Sequence, residues 1–455
     1  MNTSSPKLEV APDSVSRRRF LRHSSLAVAG AAAMTELPFV LTSHAAPNDP
    51  IKIGVIGCGG RGTGAVLDAL GAATKVIYPG AGYHTEDVAA DARVARKDIQ
   101  VVGLCDVFPD RLNRCRENLR TLGINVPDEL CFTGFDGYKK LLAVSEINYI
   151  IQATPPHFRP QHLLEAIQAG KHVFIEKPAA VDGPGVRKIL EAGELAKQKG
   201  LGIVAGTQRR HMKSYNATIK RIHDGAIGEI VYGTCYWNGG EIWVIEREQG
   251  MSDMEWQLRN WNYFTWAGGD HIVEQHVHNL DIMNWVIGDH PAKATALGGR
   301  QVRTARVNGH IFDHFAVEFE YPNGVRMFSQ CRQINGCEGK VEEFLVGSKG
   351  RSNCKDRILV KDGDPWRFRE AEVNPYQQEH HNLIASIRAG QPLNEAKTVA
   401  ESTLTGIMGR ESAYSGQSVE WEKALNSKTR LGPTKYEFGD LPFPEVALPG
   451  KYRFV

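Results

Sequence analysis

The sequence predicts an α/β chain: an amino-terminal parallel-sheet domain, then an α+β domain with a large, mainly antiparallel open sheet. Three observations predict it. A β-branched strand, residues 51–56, runs straight into Gly57-x-Gly59-x-x-Gly62 and a helix-like stretch from Thr63 to Leu70. Short apolar runs then alternate with helical segments up to about residue 206, the pattern of βαβ units. Beyond that point runs of period-two alternation take over, as in antiparallel strands.

The first 46 residues read as a targeting segment. Ser16-Arg17-Arg18-Arg19-Phe20-Leu21-Arg22 precedes an alanine-rich apolar run over 26–34 and small residues at Ser43 to Ala46. A charged region, a short hydrophobic region and a cleavage-like site follow the order of an export signal, and the arginine pair followed by Phe-Leu fits its twin-arginine form. The apolar run is too short for a stable bilayer span, and no later segment approaches about eighteen consecutive apolar residues. The mature protein, periplasmic or otherwise exported, is therefore expected to have no membrane span.

The chain carries 54 basic and 52 acidic residues, and the segment after residue 46 carries 49 of each. With no basic run, nothing points to nucleic acid or an anionic membrane surface. The eight cysteines are scattered singly, which argues against zinc ribbons and thioredoxin-like sites, although a Cys331–Cys337 link stays open.

In the glycine loop, Gly57 makes the tight turn, Gly59 and Gly60 let backbone approach a pyrophosphate, and Gly62 lets the helix pack on the strand. Its first amides, with Arg61, then face the phosphates. This predicts a bound dinucleotide. Because the twin-arginine route carries folded proteins and free nicotinamide cofactor is not expected outside the cytoplasm, the nucleotide is expected to stay bound during export.

The domain from 51 to 206 is expected to hold strands at 51–56, 101–105, 149–153, 173–175 and 203–205, and helices at 109–122, 160–169 and 184–199. Residues 71–98 read as an insertion. The domain from 207 to 425 is expected to hold strands at 230–237, 292–298, 312–321, 325–331, 341–346 and 357–361, then helices at 376–389 and 395–414. Residues 426–455, rich in proline and aromatics towards the end, read as an extended tail docked on a surface.

Asp106 ends the second strand, where an acid accepts ribose hydroxyl hydrogen bonds and repels a 2′-phosphate, favouring NAD over NADP. Glu176-Lys177-Pro178 stands at the carboxyl end of a buried strand, where open α/β sheets bind ligands. There Lys177 can bond a substrate hydroxyl. In residues 268–281, a continuous helix would set Glu274, His278 and Asp281 on one face. His278 has the chemistry to take a hydroxyl proton, and Asp281 to orient it or bind a neighbouring hydroxyl. A metal reading of this stretch is disfavoured, because no H-E-x-x-H pattern exists. Five of the eight tryptophans fall between 237 and 266. They suit either a carbohydrate wall, with Trp266 against substrate, or a core or subunit contact.

Together these motifs resemble the glucose–fructose oxidoreductase/inositol dehydrogenase/rhizopine catabolism (Gfo/Idh/MocA) family. The likeness rests on the glycine loop, Ala153-Thr154-Pro155-Pro156, Ala169-Gly170-Lys171-His172-Val173 leading to Glu176-Lys177-Pro178, and Gly268-Gly269 with His278-x-x-Asp281. It implies a Rossmann domain, an oligomer (dimer or tetramer) built on the open sheet, and a carbohydrate or cyclitol substrate. It makes Lys177 and His278 the catalytic pair and Asp281 a substrate ligand. Thr154, Pro155, Glu176 and Gln208, joined by His157 in the same turn, would lie by the nicotinamide. The chain departs from the family pattern where Glu274 replaces an aspartate and His276 a glycine, which implies an altered pocket floor. The leading expectation is an exported oxidoreductase with retained NAD. An NAD-dependent glycosidase working by transient oxidation and an NAD-loaded binding protein are the alternatives.

Overall fold

The computed structural model describes residues 50–72, 74–76, 85–89 and 92–455. The proposed signal segment lies outside them. Strands β1 (Ile51–Ile56), β4 (Ile99–Asp106), β5 (Cys131–Thr133), β6 (Tyr149–Gln152), β7 (His172–Ile175) and β8 (Ile203–Ala205) form a six-stranded sheet in the order β5-β4-β1-β6-β7-β8. Every pairing in it is parallel. Ile53, Val55, Tyr149, Ile151 and Phe174 pack on one face and Ile150, Val173 and Ile175 on the other, so the central strands read as continuous apolar runs. In the 71–98 insertion, β2 (Thr74–Val76) and β3 (Thr85–Val88) pair antiparallel.

Local chemistry sets the helix ends. Asp182 caps the helix Gly183–Lys199 by accepting the Gly185 amide at 2.8 Å, Pro184 opens the first turn, and Gly200 closes it in the left-handed region at φ 64°. The strand β5 and the helix Gly137–Leu142, which the pattern did not predict, complete the domain. Both are too short to show a period. The helix Pro375–Arg388 returns from the second half of the chain to pack Leu383, Ile384 and Ile387 on the parallel sheet, and its His380 meets the Tyr149 hydroxyl at 2.9 Å.

The second sheet has nine strands. Besides β9 (Ile230–Gly239), β10 (Lys293–Gly299), β11 (His314–Glu320), β12 (Arg326–Gln333), β13 (Lys340–Gly347) and β15 (Arg357–Val360), it contains three short strands absent from the expectation. These are β14 (Gly350–Ser352), β16 (Trp366–Arg367) and β17 (Val419–Glu420). The order is β16-β15-β14-β13-β9-β12-β11-β10-β17, antiparallel except for the parallel β9–β12 pair. Alternation holds as expected: Phe315, Val317 and Phe319 are buried, as are Met327, Ser329 and Cys331. The helix Ala396–Ser415 packs against the inner face. No regular element follows the helix Trp421–Asn426, and the tail bonds to both domains, through Leu431 to Asp182 and through Gly439 to Met254. All eight cysteines are free, with Cys331 buried and Cys337 exposed.

Several histidines are buried where protonation is unfavourable. Burial lowers His162 and His276 to about 3 and His157 and His310 to about 4, and pushes His380 well down. A group with a depressed folded pKa leaves the unfolded chain binding more protons once the pH drops below about 6.5. Each such histidine therefore withdraws about 1.4 kcal/mol of stability per pH unit from there down to its folded value. Glu379, Asp106 and Asp182, each raised first by burial, work in the opposite direction but are three groups against five. Thermal melts should show Tm falling steadily from pH 7 to pH 5, and a flat profile would contradict this accounting.

Candidate active site

The carboxyl ends of β1, β4, β6, β7 and β8 open into one cleft of about 1020 Å³, whose opposite wall comes from the second domain. The glycine loop forms its floor, and each glycine has a separate steric reason. Gly57 sits at φ 94°, and a Cβ there would lie 2.7 Å from the Ala153 carbonyl carbon. A Cβ on Gly62 would lie 1.8 Å from the Gly57 oxygen. A Cβ on Gly59 would meet nothing within 4 Å, because that position faces the cleft. Asp106 accepts the Cys58 amide at 2.7 Å and the Phe108 amide at 2.8 Å. Burial raises its carboxyl above the usual range, and these two amides and Arg111 oppose that rise. A tight turn, an open approach above a helix N-terminus, and an acid beside it fit a dinucleotide.

Arg61 lines the cleft but also forms ion pairs with Glu176 at 2.8 Å and Asp68 at 3.1 Å, so it is tied to the sheet edge. Gly206 makes room for Glu176, since a Cβ there would lie 2.5 Å from its Oε2. Gly60, Thr154, Pro155, Glu176, Lys177 and Gln208 all line the cleft. Gln208 donates to the Tyr376 hydroxyl at 3.3 Å.

Lys177 crosses to the second domain. Its Nζ donates to the Glu274 carbonyl at 2.6 Å and pairs with the Glu274 carboxylate at 2.8 Å. His278 lines the same cleft, 8% exposed, with its ring stacked on Trp237 at 5.8 Å and 25°. The single helix expected through 274–281 is broken. Glu274 ends a short helix, His271–Glu274, and His278 lies in the first turn of another, Val277–Ile287. At the break the His276 amide bonds back five residues to the His271 carbonyl at 3.1 Å, and the His276 Nε2 lies 2.6 Å from the Ser329 hydroxyl in the sheet. His276 is fully buried there and does not line the cleft, so the expected change to the pocket floor rests on Glu274 alone.

Three more assignments meet a different placement. Asp281 does not line the cleft; Arg210 grips its carboxylate at 2.8 and 3.0 Å and the Ser402 hydroxyl donates to it at 2.7 Å. It lies one turn past His278 on the same helix, and Arg210 and Ser402 hold its carboxylate away from the cleft. His157 is half-buried, 2.8 Å from the Tyr436 hydroxyl and edge-on to Trp266 at 5.3 Å. Trp266 donates to Gln257 at 2.8 Å within an apolar cluster. Neither lines the cleft, because the tail covers that side of the turn. The tryptophans divide accordingly: Trp237, Trp243 and Trp261 line the cleft, whereas Trp256 and Trp266 are core.

Other positioning residues carried no sequence signal. Glu343, buried in β13, takes hydrogen bonds from Arg209, from Asn279 at 2.6 Å and from Tyr215 at 3.0 Å. Arg209 lies over Trp237, so Glu343 supports the ring on which His278 stacks. Among the described residues, no group of three or more His, Cys, Asp or Glu side chains is placed to hold a metal, and no helix is long and apolar enough to cross a membrane.

A glycine-loop cleft faced by an antiparallel-sheet domain defines a two-domain, dinucleotide-binding oxidoreductase. Known families agree. Residues 74–207 match the family model described as "Oxidoreductase family, NAD-binding Rossmann fold", and residues 215–352 match the GFO/IDH/MocA C-terminal domain. The chain belongs to the Gfo/Idh/MocA oxidoreductase family. It is 26% identical over 317 residues to an uncharacterized oxidoreductase of Streptococcus pneumoniae, covering 68% of this chain and 78% of that protein. It is 26% identical over 354 residues to an inositol 2-dehydrogenase of Burkholderia vietnamiensis, covering 75% and 87%. Among solved structures it resembles the aldose-aldose oxidoreductase of Caulobacter crescentus, with TM-score 0.59 and 16% identity over 82% of this chain and 99% of that one. It also resembles the WlbA dehydrogenase of Bordetella pertussis, solved with NADH and UDP-GlcNAcA, with TM-score 0.57 and 18% identity over 82% and 98%. At such identities these structures establish the fold.

Proposed function

We propose that this protein is an exported oxidoreductase that oxidises or reduces a hydroxyl-bearing carbon of a sugar, glycoside or cyclitol with an NAD it does not release. The observation that carries the reading is the meeting of Lys177, Glu274 and His278 in the cleft that the glycine loop and Asp106 also line. When bound, the nicotinamide supplies the hydride acceptor or donor. Glu274 engages two of the three Lys177 ammonium donors, and the third bonds the substrate oxygen. His278 takes the hydroxyl proton, held in plane by Trp237. Trp243 and Trp261 offer aromatic faces to sugar C–H groups. The names of the relatives above, inositol and aldose oxidoreductases, support the substrate class, and the arginine-pair segment supports export.

Purified without added nucleotide, the protein should gain or lose the reduced-nicotinamide absorbance band as sugars and cyclitols are titrated in. No response from a nucleotide-loaded sample across such a panel would defeat the proposal. Cleavage of aryl glycosides with no net change in that band would instead favour the glycosidase alternative.

Asp106 supports NAD over NADP. Asp106→Ser should weaken NAD at least tenfold and narrow the preference over NADP, read by nucleotide titration. An unchanged NAD:NADP affinity ratio would remove Asp106 from that role.

The outer face of the large sheet exposes Leu297 (79%), Phe328 (45%) and Tyr232 (38%). We infer that a second copy of the chain covers it. Light scattering should report a dimer or tetramer for the natural protein and smaller particles for Leu297→Glu combined with Phe328→Glu. A monomeric natural protein would refute this.

A further inference from the structure

We propose that Arg259 and Phe438 form a latch joining the two domains across the adenosine end of the cleft, and that this latch makes nucleotide release slow. The inference rests on the dinucleotide reading above and identifies the residues that hold the cofactor in place.

Phe108 is the anchor. It follows Asp106 by two residues, donates its amide to that carboxylate, is buried, and lines the cleft. Arg259, from the second domain, lays its guanidinium 4.1 Å from the Phe108 ring centre. The same guanidinium bonds both Asp110 oxygens, at 2.9 and 3.0 Å, while Arg111 donates to the Arg259 carbonyl at 3.3 Å. Both Asp110 and Arg111 line the nucleotide-domain wall. The contact is thus a planar two-point pair stacked on an aromatic ring, the geometry that suits arginine and not lysine.

The tail closes the same point from outside. Phe438 stacks on Phe108 at 5.7 Å and 21° and lies 5.3 Å from Phe135, another cleft residue. It is held there from both domains. The Met254 amide donates to the Gly439 carbonyl at 3.1 Å, Gln257 donates to the Leu441 carbonyl at 3.1 Å, and the Leu431 amide donates to Asp182 at 2.8 Å. Phe108 accordingly shares one buried cluster with Trp256, Leu258 and Phe264 of the second domain. Separating the domains at this end means breaking that cluster.

A second observation points to a ligand under this roof. Asn262, three residues from Arg259, lines the cleft and is 1% exposed, yet neither its amide nitrogen nor its oxygen has a hydrogen-bond partner. Buried amides are rarely left unpaired, so a group in the cleft completes it. A nucleotide held between the floor and this roof supplies both a donor and an acceptor.

The test is the exchange rate of bound nucleotide, followed by the loss of reduced-nicotinamide fluorescence when the loaded protein is mixed with excess oxidised NAD. Arg259→Ala and Phe438→Ala should each speed exchange at least tenfold, Arg259→Lys should recover little of the loss, and Asn262→Ala should speed it severalfold. Thermal melts of the same samples identify any variant that has simply unfolded, and Phe438→Ala, half-exposed at 47%, is the one least disturbing to the fold. Exchange as slow as in the natural protein for folded Arg259→Ala and Phe438→Ala would overturn the latch. Rapid exchange in the natural protein would also overturn the latch while leaving the hydride chemistry standing. A natural protein that binds no nucleotide under any condition would overturn both.

Discussion

Lys177→Met should lower turnover by about a thousandfold while the bound nucleotide stays in place. Among the described residues, Lys177 is the cation of the nucleotide domain that pairs with Glu274 beside His278. Methionine keeps the length and apolar stem but removes every donor. The substrate oxygen then loses its hydrogen bond, and the Glu274 carboxylate, 13% exposed, loses its partner. The second consequence costs stability, about 1–3 kcal/mol for a partly buried charge left unpaired. Nucleotide content, read from the absorbance of the purified protein, should not move, because the glycine loop and Asp106 make their contacts independently of Lys177. A variant that still turns over at a tenth of the natural rate would show that the proton and the hydroxyl are managed elsewhere. Loss of nucleotide together with turnover would show a structural role instead.

Gly59→Val and Gly62→Val should separate cofactor binding from folding. The two glycines are three residues apart and look alike in sequence, but their surroundings differ. A side chain on Gly59 enters open cleft, whereas one on Gly62 collides with the Gly57 oxygen at 1.8 Å. Gly59→Val is expected to melt within a few degrees of the natural protein and to lose nucleotide affinity at least a hundredfold, because its methyls fill the approach to the pyrophosphate. Gly62→Val is expected to lose affinity and also about 3 kcal/mol or more of stability, since the helix Gly60–Ala69 must move off the strand. If Gly59→Val bound nucleotide normally, the cleft above the loop would not be the dinucleotide site.

Local features of the chain account for much of this. The glycine loop, Asp106 and Glu176-Lys177 were identifiable because each occupies the carboxyl end of a strand, and a parallel sheet gathers those ends on one edge. The six principal strands of the second sheet were visible because a half-buried strand must alternate. Strands of two or three residues, such as Cys131–Thr133 and Trp366–Arg367, carry too few positions to show any period.

Side-chain direction was another matter. Helical spacing put Glu274, His278 and Asp281 on one face, but the helix is interrupted at Gln275–His276, where His276 meets Ser329 of the sheet, and Asp281 is taken by Arg210 and Ser402. Those partners lie 53, 71 and 121 residues away in the chain. His157 and Trp266 were placed at the ligand by proximity to a motif, yet the tail, nearly 280 residues downstream of His157, covers them.

What can be read from order alone, then, is which backbone ends gather at the nucleotide, since turn geometry, strand period and helix caps are contests between near neighbours. Which side chains enter the cleft, which are held by a distant arginine or hydroxyl, and how the two halves meet over the adenosine end depend on packing between segments far apart in the chain. Only the folded molecule brings those partners within hydrogen-bonding distance.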